Sequence, residues 1–149
     1  MKGQGPKAKD QRRNRSTSSK TAKRRVAPLL LPSPDSGRPF DIRRRSFLFA
    51  VRILKIAAAL PATPEGTVVR NQLCRSGTSV GANVEEADGA ISGPDRRRSL
   101  VIARKEAMET RYWLRIPQEC WSRALDVRDD LQEAGEIVRT PSRMIQLLS

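Results

Sequence analysis

RSGTSVGANVEEA, residues 75–87, decides how the chain folds. It is small, polar and glycine-bearing, yet it lies inside a helical pattern. Val69, Leu73, Ser76, Val80, Val84 and Ala87 recur at steps of four, three, four, four and three, which is one helix face. Gly77 and Gly81 stand one turn apart, and each glycine costs a helix roughly 1 kcal/mol relative to alanine. Two glycines beside Ser76, Thr78 and Ser79 make a poor isolated helix, so tertiary contact has to hold it. Small residues let a neighbouring helix come close. The spacing therefore predicts a helix–helix seam with Gly77 and Gly81 as packing residues. The competing reading is a polar site built around Arg75, Asn83, Glu85 and Glu86.

Working outward, this helix is predicted from about Glu65 to Asp88, closed by Gly89 and the turn Ser92-Gly93-Pro94. Before it, a first helix starts after Asp41 or Ser46, both good N-caps, and stops at Pro61. Phe47, Ala50, Leu54 and Ala57 give it an apolar stripe, widened by Val51, Ile53 and Leu60. A third helix runs from Asp95 to about Ile116 on Leu100, Ala103, Ala107, Thr110 and Leu114, and Pro117 disfavours its continuation. A fourth follows Arg123, with Val127, Leu131, Ala134, Val138, Pro141, Ile145 and Leu148 in a four-three rhythm. The register survives Pro141, so a kink is expected there rather than a restart capped by Thr140. No segment alternates with period two. The fold class is all-α: an antiparallel up-down four-helix bundle over residues 41–149.

Residues 1–40 carry Lys, Arg, Ser, Pro and Gly without apolar periodicity and read as a disordered basic tail. Charge is lopsided. Residues 1–45 hold 14 Lys+Arg against 3 Asp+Glu, whereas residues 46–149 hold 15 against 13. Arg12, Arg13, Arg15, Lys23, Arg24, Arg25, Arg43, Arg44 and Arg45 are the candidates for phosphate contact, acting as charge without base readout. The competing reading is a solvated tail. A version beginning at Pro39 is expected to keep its helical signal and melting temperature, checked by circular dichroism. No apolar run approaches membrane length, and Cys74 and Cys120 lack metal-binding spacing, so a cytoplasmic protein with free thiols is expected.

Histidine is absent, which removes the commonest general base and transition-metal ligand. Glu85, Glu86, Glu106 and Glu109 in a bundle suggest a di-iron centre, but such centres want Glu-x-x-His on two helices. Ser76, Thr78 and Ser79 have no evident base, and Gly77 to Gly81 does not match a phosphate-cradling loop. The expectation is no enzyme activity, no cofactor and no metal. The carboxylates are expected to form structural ion pairs instead. Antiparallel pairing about the turn sets Arg75 opposite Glu109, partly buried beside Trp113, and Glu86 opposite Arg97.

RSGTSVGANVEEA, SLVIARKEAMETRYWLR (residues 99–115) and DIRRRSFLFAVRILKIAAALP (residues 41–61) together resemble the bacterial four helix bundle protein family. That family is related to proteins encoded in 23S rRNA intervening sequences and to the accessory subunit of diversity-generating retroelements. The resemblance implies a non-catalytic homo-oligomer, a pentamer in such relatives, that works with RNA or an RNA-handling enzyme. The alternative is a protein–protein scaffold using the face of the second and third helices, without nucleic acid. The sequence departs from the family pattern at Arg96, which falls on the core stripe, and at Pro117 and Pro141.

Overall fold

The structure, a computed structural model, describes residues 41–148. The expectations for residues 1–40 therefore lie outside the described residues. Four helices follow one another: α1 (Ile42–Ala59), α2 (Pro64–Asp88), α3 (Gly93–Cys120) and α4 (Arg128–Leu147). Short connections at 60–63 and 89–92 make neighbours antiparallel, and α1 meets α4 to close the bundle. No strand occurs among the described residues.

Each of the first three helices opens on a cap that the sequence supplies. Asp41 accepts from the backbone N–H groups of Arg43 and Arg44, Thr63 from Gly66, and Ser92 from Asp95. Pro64 and Pro94 fall in the first turns of α2 and α3, where a missing N–H costs nothing. In α4 the cap residue is the buried Val127, which offers no side-chain bond, and Asp126 Oδ1 accepts instead from the Arg128 N–H at 3.3 Å.

The stripe predicted for α2 is buried in full, as are Leu100, Ala103, Ala107, Thr110 and Leu114 on α3. On α1 the structure corrects the predicted stripe. Phe47 is 62% exposed and Leu54 44%, while Ser46, Phe49, Ala50, Ile53, Ile56 and Ala57 turn inward. Both rows of α1 have helical spacing, so periodicity alone did not separate them. Arg45 and Arg52, described below, settle the rotation by reaching carboxylates on α4.

The two prolines do not end their helices. Pro117 lies inside α3, which continues to Cys120. Its ring is fully buried, and the Trp121 N–H closes on its carbonyl at 2.9 Å. Burial of the ring offsets the lost backbone bond. Pro141 is likewise buried inside a continuous α4, and Thr140 is not a cap: its hydroxyl bonds back to the Glu136 carbonyl.

The glycine seam is real but uneven, and its partner is α1. A Cβ on Gly77 would lie 2.6 Å from Ile53 Cγ2, closer than side chains approach. A Cβ on Gly81 would lie 3.5 Å from the Ser46 carbonyl oxygen, an ordinary contact. At the α1–α2 corner Gly66 is held against the Pro61 carbonyl with no room for a Cβ.

Candidate functional site

The three arginines that open α1 have different environments. Arg44 is exposed. Arg43 is half-exposed and donates through Nη1 to Asp88 Oδ2 at 2.7 Å, tying the start of α1 to the end of α2. Arg45 is not available to phosphate, contrary to expectation. It is buried, and its Nε and Nη2 donate to the two oxygens of Glu133 at 2.7 and 2.8 Å. That fork-on-fork geometry satisfies both partners. Arg12, Arg13, Arg15, Lys23, Arg24 and Arg25 lie outside the described residues.

The α2–α3 seam brings Arg75 and Glu109 together. Arg75 Nη2 donates to Glu109 Oε1, Nη1 reaches Glu106 Oε2 at 3.3 Å, and the Trp113 indole N–H adds 3.1 Å to Glu109. The arrangement is more open than expected, since the Arg75 side chain is 52% exposed. The Arg75 hydrogen bond holds the Glu109 carboxyl below the usual carboxylate range, desolvation opposes it, and the indole supports it. A depressed carboxylate stabilises the fold above its unfolded pKa, and that contribution is lost as pH falls through the folded value. A double-mutant cycle with Arg75→Met and Glu109→Gln should therefore show coupling at pH 7 that fades in acid, read by thermal unfolding. Strict additivity at pH 7 would show that the two groups do not interact.

Glu86 and Arg97 are not brought together: both are exposed and no ion pair joins them among the described residues. The position next to them explains why. Arg96 folds back instead, donating from Nε to the Ala87 carbonyl at 3.1 Å, with Nη2 4.0 Å from Asp88. It closes the last turn of α2, where cations are favoured by the helix dipole. Arg96 thus leaves the core stripe on which its spacing placed it. Arg70 does the same for α1, donating to the carbonyls of Ala57, Leu60 and Pro61.

The uncharged polar members of the central stretch are occupied within the fold, whereas Glu85 and Glu86 face outward. Ser76 Oγ donates to the Gln72 carbonyl at 2.8 Å and lies 2.9 Å from the buried Thr110 hydroxyl. Asn83 Nδ2 donates to the Ser79 carbonyl at 2.8 Å. Glu106 and Glu109 are turned to Arg75 rather than to one another. The residues that sequence reasoning missed are Arg52 and Asp130. Arg52 is 8% exposed and Asp130 5%; Nε donates to Oδ1 at 2.5 Å and Nη2 to Oδ2 at 2.9 Å. A signal was present: Arg45 and Arg52 are seven apart, so they share a face with Phe49 and Ile56.

Comparison with known proteins fits this geometry. The family model for the 23S rRNA-intervening sequence protein matches residues 38–145, all four helices included but for the last residues of α4. The chain belongs to the 23S rRNA-intervening sequence protein family. Among solved structures, a protein with unknown function from the S23 ribosomal protein family of Bacteroides thetaiotaomicron VPI-5482 is similar at 34% identity. The match covers 71% of this chain and 99% of that one, with a TM-score of 0.63. No curated protein matches the chain. This intervening-sequence family member thus matches its solved relative over nearly that relative's whole length. No helix among the described residues is long and apolar enough to cross a membrane.

Proposed function

We propose that this protein is a non-catalytic, cytoplasmic, homo-oligomeric accessory factor that associates with RNA or with an RNA-handling enzyme. The observation that carries the reading is the match of residues 38–145 to a family described by the 23S rRNA intervening sequence. The charge distribution supports it, since residues 1–45 hold 14 Lys+Arg against 3 Asp+Glu, the exposed Arg43 and Arg44 among them. Assembly is supported by the outer stripe of α1, where Phe47, Val51, Leu54 and Ala58 step by four, three and four on the face turned away from the core. A pentamer is the state that the resemblance suggests.

The test is molecular mass in solution by light scattering, with and without added RNA, over a salt series. The expected result is an oligomer that binds RNA and weakens steeply as salt rises. Phe47→Glu should reduce the mass to that of a monomer while keeping the helical signal. A monomer that ignores RNA would sink the proposal. An oligomer that ignores RNA would favour a protein–protein scaffold.

A further inference from the structure

The outer face of α3 carries a row of exposed cations. Arg97, Arg104, Arg111 and Arg115 fall at steps of seven, seven and four along it, and all are exposed. Arg98 and Lys105 flank them, also exposed. None of the six has an acidic partner among the described residues. From Arg97 to Arg115 the row runs about 27 Å at the rise of a helix.

The helix's own carboxylates do not neutralise this face. Glu106 and Glu109 sit on the edge turned to α2 and are engaged by Arg75. Asp95 is bonded to the Ser92 hydroxyl at the cap. Only Glu119, near the end of the helix, breaks the pattern. Arg96 belongs to the end of α2 and takes no part.

A solvated face is usually mixed in sign, and this one sets six cations against Glu119 alone. Residues 46–149 are close to neutral overall, so the concentration is local. It also opposes local stability. Arg97 and Arg98 lie in the first turns of α3, where the dipole disfavours cations, and Arg111 and Arg115 are like charges one turn apart. An aromatic ring stands within the same face. Tyr112 is 56% exposed, braced edge-on by Trp113 at 5.1 Å between ring centroids. A held, exposed ring between cations is the arrangement that stacks an unpaired base while the charges take the phosphates.

We propose that the outer face of α3 binds single-stranded RNA, with phosphates on Arg97, Arg104, Arg111 and Arg115 and a base stacked on Tyr112. This rests on the RNA association proposed above and names the surface that carries it. The binding is to backbone and π-face, without base-edge readout.

The test uses the full chain and a fluorescein-labelled oligouridylate, with anisotropy read across a salt series. Removing two phosphate contacts in an Arg104→Gln, Arg111→Gln double variant should weaken binding at least tenfold. It should also flatten the log–log salt slope by about 1.4, at about 0.7 per phosphate on a single strand. Tyr112→Ala should weaken binding about tenfold at every salt concentration with the slope unchanged. An Arg139→Gln, Arg143→Gln double variant on α4, the same loss of two charges on another exposed surface, should bind as the parent does. These positions are exposed, so all variants should keep the parental melting curve.

If both α3 variants bind and titrate like the parent, the α3 assignment is overturned while RNA association stands through other residues. If the parent itself does not bind the oligouridylate, both readings fall. If poly-glutamate of equal charge competes as well as unlabelled RNA, the face is a general site for acidic partners and the RNA assignment is overturned.

Discussion

Asp130→Leu is expected to destabilise the fold by about 3–5 kcal/mol, the largest effect of any single substitution considered for this chain. The cause is charge. Arg52 lies inside the bundle and donates to both oxygens of the Asp130 carboxylate. Taking that carboxylate away leaves a guanidinium in a low-dielectric place without the anion that it was folded against. Arg52→Met alone should also be costly, because it strands the buried carboxylate. The double variant Arg52→Met, Asp130→Leu should be less damaging than either single change, since apolar side chains of similar volume suit the same space. Urea unfolding at pH 7 measures all three. Additive single effects would show that the pair is not coupled.

The second large effect is at Gly77. Gly77→Ala places a methyl 2.6 Å from Ile53 Cγ2 and 2.9 Å from Ile53 Cβ. A β-branched neighbour fixed on a helix cannot give way cheaply. The expected loss is about 1–3 kcal/mol, against a propensity gain of at most about 1 kcal/mol. Gly81→Ala reverses the balance. Its methyl meets only ordinary contact distances, so the propensity gain survives and the melting temperature should hold or rise. Trimming Ile53 to alanine should remove most of the Gly77→Ala penalty. If the two glycines respond alike, α1 does not approach α2 as closely at Gly77 as described.

Much of this architecture was legible in the chain itself. The stripes of α2 and α3 are buried as their spacing requires, because both helices are polar enough elsewhere to leave one choice of face. The stripe of α1 was not, because that helix is apolar on two sides and two rows compete. What chooses between them is non-local: Glu133 and Asp130 lie 88 and 78 residues from their arginines. The turn after α2 gave the opposition of Arg75 and Glu109, since a short connection fixes register nearby. It failed for Glu86 and Arg97 because Arg96 closes the end of α2 and Asp88 is shared with Arg43. Pro117 misled for the same reason. A local rule says that Pro117 should end a helix, and a buried ring overrides it.

The separation of Arg52 from Asp130 also bears on the order in which the bundle assembles. The α1–α2 and α2–α3 hairpins close over short loops, and Arg70 and Arg96 stitch each corner from within the next helix. Such contacts are local and form fast. The two arginines that meet α4 must wait for the chain to return across the whole domain, so loop-closure entropy delays them. They are therefore expected to act as a latch fastened after the rate-limiting step. A chevron plot of Asp130→Leu should then show a folding limb close to the parent and a much faster unfolding limb. In the cell such a latch would govern how long a folded molecule lasts, and leave almost untouched how quickly it forms.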